Sequence, residues 1–96
     1  MTPVVVYTAR VHCVLKQNKE WQRSRFLGHF LSRQTADDTY KTFDTSSVLE
    51  KYWPGNDVTN WTFTLHVDEI LVLKARHPTT GEDVYMDMSS FVITTQ

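Results

Sequence analysis

One cysteine, Cys13, stands in the 96 residues. No intramolecular disulfide can therefore staple the fold. Glycine is scarce as well: Gly28, Gly55 and Gly81 lie far apart, which removes a glycine loop that could cradle phosphate. No apolar run approaches the ~18 residues a membrane-spanning helix needs. Val4-Val5-Val6 is much shorter than the apolar core of a secretion signal and follows no basic start, so a cytoplasmic protein is expected. An excess of one charge is also missing. Ten basic and eleven acidic residues leave a net charge of −1, so no global field draws the chain to nucleic acid or an anionic membrane.

The residues that usually carry chemistry are present but dispersed. His12, Cys13, His29, His66 and His77 are scattered, without the local ligand pairs found in the zinc sites of short domains. There is no Gly-x-Ser-x-Gly elbow. His12 and Cys13 are neighbours on one expected strand, so they point to opposite faces and form no dyad. The carboxylate pairs Asp37-Asp38, Asp68-Glu69 and Glu82-Asp83 fall at expected turns or breaks, where solvation explains them better than acid–base work does. No catalytic residue, metal or cofactor is expected, and the chain does not read as an enzyme.

What the sequence does hold is the composition of one small globular domain spanning residues 1–96, with 41% hydrophobic and 22% charged residues. Three tryptophans, four tyrosines and five phenylalanines supply large buried area per residue. The stretch Asn60 to Arg76 is the expected organiser. Trp61, Phe63, Leu65 and Val67 alternate with Thr62, Thr64 and His66, the pattern of a strand with one buried face. Ile70-Leu71-Val72-Leu73 reads as a strand buried on both faces. Between the halves a carboxylate of Asp68-Glu69 lands on the apolar side, so a bulge or turn is expected there. Asn60-Trp61-Thr62 matches a glycosylation sequon; with no secretion signal chance explains the match better, and Trp61 is expected to be buried.

Val4 to Lys16 is an expected long strand, with Val5, Tyr7, Ala9, Val11, Cys13 and Leu15 on an apolar row and Val4, Val6, Thr8, Arg10, His12, Val14 and Lys16 on a mixed one. A polar turn at Gln17-Asn18-Lys19 leads to Glu20–Arg33. That segment fits either a helix or a strand, and a hairpin partner for the first strand is favoured. Thr35-Ala36-Asp37-Asp38 reads as a polar break and Thr39 to Phe43 as a short strand. A helix is expected over Val48–Trp53, capped by Ser47 with Glu50, or by Asp44 or Ser46, and stopped by Pro54-Gly55. His77 to Glu82 predicts a hairpin loop between Ile70–Arg76 and Val84–Met88. Phe91–Ile93 is an expected final strand. The sum is an α+β fold: a mostly antiparallel sheet of five or six strands with one short α-helix on a face.

Function is read from charge layout. Residues 1–33 carry a balance of +5 and residues 34–96 one of −6, a polarity that suits electrostatic steering toward a partner. The expectation is a small protein-binding module, an inhibitor or adaptor of the kind phages and mobile elements often encode. Its candidate contact residues are Trp21, Arg23, Arg25, Phe26, Phe30 and Arg33 in a basic-aromatic segment, with Asp37 and Asp38 as an acidic surface. A free sheet edge would also admit a homodimer. The alternative is single-stranded nucleic-acid binding through residues 19–33, with arginines on phosphates and aromatics stacked on bases.

Overall fold

The computed structural model describes residues 2–52, 55, 57–89 and 92–96, without the side chains of Lys51 and Tyr52. Five strands form one antiparallel sheet: β1 (Thr2–Leu15), β2 (Gln22–Phe30), β3 (Trp61–Arg76), β4 (Asp83–Met86) and β5 (Val92–Ile93), in the order β2-β1-β3-β4-β5. Two helices, α1 (Arg33–Lys41) and α2 (Ser46–Tyr52), and a 3-10 turn at Val58–Asn60 sit in the β2–β3 connection. The fold is α+β with a mostly antiparallel sheet, as expected.

β1 and β3 are the backbone of the molecule. They pair through fourteen consecutive positions, from Thr2↔Lys74 to Leu15↔Trp61. Runs of β-branched residues favour this long pleated pair, which gives the molecule its 51 × 22 × 22 Å extents. On one face Ala9, Val11 and Cys13 are fully buried. They stand opposite Val67, Leu65 and Phe63, and α1 and α2 cover them with Ala36, Val48 and Leu49. Trp61 is buried in the same cluster.

Beyond Thr8 and Asp68 the buried side changes. Val6 and Val72 are 0% and 1% exposed, yet they belong to the face opposite the helices. The pairs Val4↔Val72 and Val6↔Ile70 put four aliphatic residues on that face. Lys74↔Tyr85 and Tyr85↔Ile93 carry it across β4 and β5. At this end the sheet's two edges are tied. The Gln96 N–H donates to the His29 carbonyl at 2.8 Å, and Thr95 makes a parallel bridge to His29.

This exchange of faces corrects two expectations. No bulge occurs at Asp68-Glu69, because β3 keeps register with β1 throughout; the covering layer moves to the other side while the pleat stays in phase. The register shift lies between β1 and β2 instead, at Ala9/Arg10. Nor is Ile70–Leu73 buried on both faces: Leu71 is 60% exposed and Val5, its partner, 42%. The inward residue of the first strand at this end is Val6.

A second correction concerns Thr35–Phe43. The expected polar break and short strand are helix α1 over Arg33–Lys41. Its threonines have high strand propensity, but Ser32 caps the helix, accepting the Thr35 N–H at 3.1 Å. The spacing of Ala36, Tyr40 and Phe43 then turns one face onto the sheet. α2 lies where a helix is expected. Asp44 accepts both the N–H and hydroxyl of Ser46, at 3.1 and 2.6 Å, while the Ser47 hydroxyl donates to the Asp44 carbonyl at 2.7 Å. Trp53, Pro54 and Phe91 lie outside the described residues, as does the Tyr52 side chain.

The hairpins are as expected. β1 and β2 pair antiparallel, and Leu73–Arg76 pairs with Asp83–Met86. Between the latter, the His77 N–H donates to the Glu82 carbonyl at 2.7 Å. His77 Nδ1 accepts the N–H groups of Thr79 and Thr80 at 3.1 and 3.2 Å. Gly81 takes a φ of 73°, a conformation that costs glycine little.

Candidate functional site

The pleat of β2 separates the basic-aromatic segment into two sets. Arg25 and Arg23 stand opposite Val11 and Cys13 on the helix-covered face. Arg25 is half-buried there; it donates to the Ser47 hydroxyl at 3.0 Å and lies 5.8 Å from the Phe43 ring centre. It fastens β2 to the helical layer. Phe30 is completely buried against Ala9 and Ala36, so it is a core residue and cannot contact a partner. Arg33 and Asp38 are exposed on α1. Asp38 lies 3.8 Å from Lys41 and accepts from Gln34 at 2.9 Å. Asp37 is half-buried on the same helix. Trp21 is half-exposed at the start of β2; with Glu20, Gln22 and Arg23 it lines a shallow depression of about 280 Å³.

Phe26 belongs to the opposite, uncovered face and is 54% exposed. Its ring meets His29 edge-on at 4.9 Å, and it stands across from Arg10. His12 and His66 lie on this face too, with ring centres 5.2 Å apart. The His12 Nε2–H donates to Gln22 Oε1, and Nδ1 meets the Ser24 hydroxyl, both at 2.8 Å. His29 Nδ1 shares a 3.0 Å hydrogen bond with Thr8, and burial lowers the His29 pKa. Arg10 lies 3.7 Å from Asp68, both side chains well exposed, so the pair adds little stability. Among the described residues no three His, Cys, Asp or Glu side chains gather as a metal site would require. Cys13 is enclosed, and burial raises its pKa.

A surface not anticipated from the sequence lies at the far end of the helix-side face, where neither helix reaches. Val5↔Leu71 forms one cross-strand pair, and Pro3↔Leu73↔Met86↔Val92 forms a row across four strands. Leu71 and Val92 are largely exposed, while Leu73 and Met86 are half-buried. Glu69, exposed on the same face, supplies an adjacent negative charge. The only sequence signal for this patch was the carboxylate at position 69, which marks where the helix layer stops.

No helix among the described residues is long and apolar enough to cross a membrane. Comparison with protein-family models, with curated proteins and with solved structures finds no match for this chain.

Proposed function

We propose that this chain is a non-enzymatic protein-binding module, acting as an inhibitor or adaptor that occupies a surface of another protein. The observation that supports it is the patch of Pro3, Val5, Leu71, Leu73, Met86 and Val92, a contiguous row of apolar side chains on a sheet face that no other part of the described chain covers. Large exposed apolar patches mark contact surfaces. Glu69 at the rim, within the acidic portion of the chain, favours an apolar partner segment with basic flanks.

Capture from lysate of the source cell tests the proposal, with wild type compared against Val5→Asp and Leu71→Asp. Both positions are exposed, so both variants should fold. A stoichiometric protein held by wild type and lost by both variants supports the reading. Capture of no protein, or of one that both variants keep, overturns it.

A second reading is favoured by Phe26. Its exposed ring, with His29 beside it and Arg10 opposite, offers a stacking surface and a cation on the open face. Titration of labelled single-stranded RNA and DNA at low salt, with Phe26→Ala alongside, decides this reading.

A further inference from the structure

β3 is paired with β1 along its whole length, but on its other side β4 pairs only with Leu73–Arg76. Among the described residues, no strand lies against that side from Trp61 to Val72. Half of the backbone N–H and C=O groups of this stretch therefore face outward, ready to pair with another strand. Apart from the carboxylates of Asp68 and Glu69, the devices that blunt such edges are missing from this stretch. The stretch contains no proline, lysine or arginine, and its register is unbroken. The β2 edge differs: it has a register irregularity, it carries Arg23 and Arg25, and its far end is tied to Thr95. The β3 edge is also apolar on one side. Phe63, Leu65 and Val67 are only half-buried, although they belong to the helix-covered row.

We propose that this edge pairs with the same edge of a second copy, antiparallel about a two-fold axis at Leu65, making one continuous sheet through both subunits. An edge that pairs with itself must be self-complementary, and this register is. Leu65 meets Leu65 of the second copy and Phe63 meets Val67, which completes the apolar row. On the other face Thr64 meets His66 and Thr62 meets Asp68. No like charges stand opposite one another, and a net charge of −1 per chain adds little repulsion. Residues directly opposite share a face, so the dimer would show both Val5/Leu71 patches on one side. At ~3.3 Å per residue the two Leu71 positions lie about 40 Å apart.

Sedimentation velocity of the full chain over a wide concentration range is the test, with Thr62→Asp, Thr62→Lys and Val5→Asp run in parallel. Position 62 is exposed in the monomer, so neither change disturbs the core. Wild type should show a monomer–dimer equilibrium. Thr62→Asp places two carboxylates opposite each other twice in the dimer and should weaken it about fivefold; Thr62→Lys faces Asp68 and should tighten it by about the same factor. Val5→Asp should lose the partner protein yet dimerise as wild type does, which separates failure of this pairing from failure of the patch. A wild type that stays monomeric at ~100 μM, or a dimer that ignores both changes at position 62 or shifts the same way with each, overturns the proposal.

Discussion

Replacing Val6 by alanine, with Val5 as its control, tests the exchange of buried faces along β1. The two residues are neighbours of one type on one strand, so strand propensity and hydrophobicity cancel between them. Only the side they face differs. Val6 is fully buried and Val5 is 42% exposed. At ~0.8 kcal/mol per buried carbon, the lost methyl groups of Val6 amount to about 1.6 kcal/mol, and the remaining cavity raises the cost to about 2–3 kcal/mol. The same change at Val5 should cost about 0.5–1 kcal/mol, because much of that side chain is already in water. For a chain near 100 residues, 1 kcal/mol moves Tm by roughly 4–8 °C, so Val6→Ala should melt about 8–24 °C below wild type and Val5→Ala only about 2–8 °C below. Scanning calorimetry at neutral pH, checked by urea unfolding, gives both numbers. If Val5→Ala costs as much as Val6→Ala or more, the inward row of β1 does not change sides and the account of this half of the sheet fails.

Ser32→Ala removes the cap of α1 and should cost about 1 kcal/mol, read from urea unfolding; an unchanged midpoint would mean the Ser32–Thr35 bond carries no weight. Cys13 is enclosed and its thiol is held protonated by burial. It should therefore resist an aromatic disulfide reagent in the native state and react once urea unfolds the chain, and rapid labelling of the native protein would contradict this. Burial lowers the His29 pKa from 6.5, so the unfolded chain binds that proton more readily than the folded one. The His29 contribution is then fully present above about pH 6.5 and is lost as pH falls through the lower folded-state value. Urea midpoints should decline over that range, and His29→Gln should flatten the decline; an identical slope would remove His29 as its source.

Much of the sheet is legible in the sequence because its long strands alternate cleanly. Trp61, Phe63, Leu65 and Val67 follow a period of two, and their partners Leu15, Cys13, Val11 and Ala9 match it across the ladder. The turn from His77 to Glu82 carries its own chemistry in Pro78 and Gly81. α1 is harder to read. Threonines at 35, 39 and 42 suggest strand, and only the Ser32 cap and the spacing of Ala36, Tyr40 and Phe43 argue otherwise. Val5 and Leu71 mislead for a different reason. Alternation shows which residues share a face, but not which face is covered, and here the cover changes sides midway. The basic-aromatic segment is continuous in the chain but not on the surface, because the pleat sends Phe26 one way and Arg23 and Arg25 the other. The open edge of β3 could not be foreseen, because it depends on how few residues of β4 reach across to it.

The exchange of faces also bears on how the native state opens. The two buried groups sit on opposite sides of the β1–β3 ladder and are joined by its backbone hydrogen bonds, so each half can open with some independence. Among the described residues, the half near Val6 and Val72 is held by four pairs between β3 and β4, two between β4 and β5, and the tie at His29. The other half has two helices and the larger side chains. Amide hydrogens of β4 and β5 should then exchange through local opening well below the global free energy, while those of Val11 and Thr64, which face into the β2–β1–β3 ladder, wait for complete unfolding. Such partial opening has a hazard of its own. With the clasp released, Val4, Val6, Ile70 and Val72 on one side join Val5, Leu71 and Leu73 on the other, leaving a ribbon apolar on both faces. In that short-lived form, not in the native one, aggregation of this chain should begin.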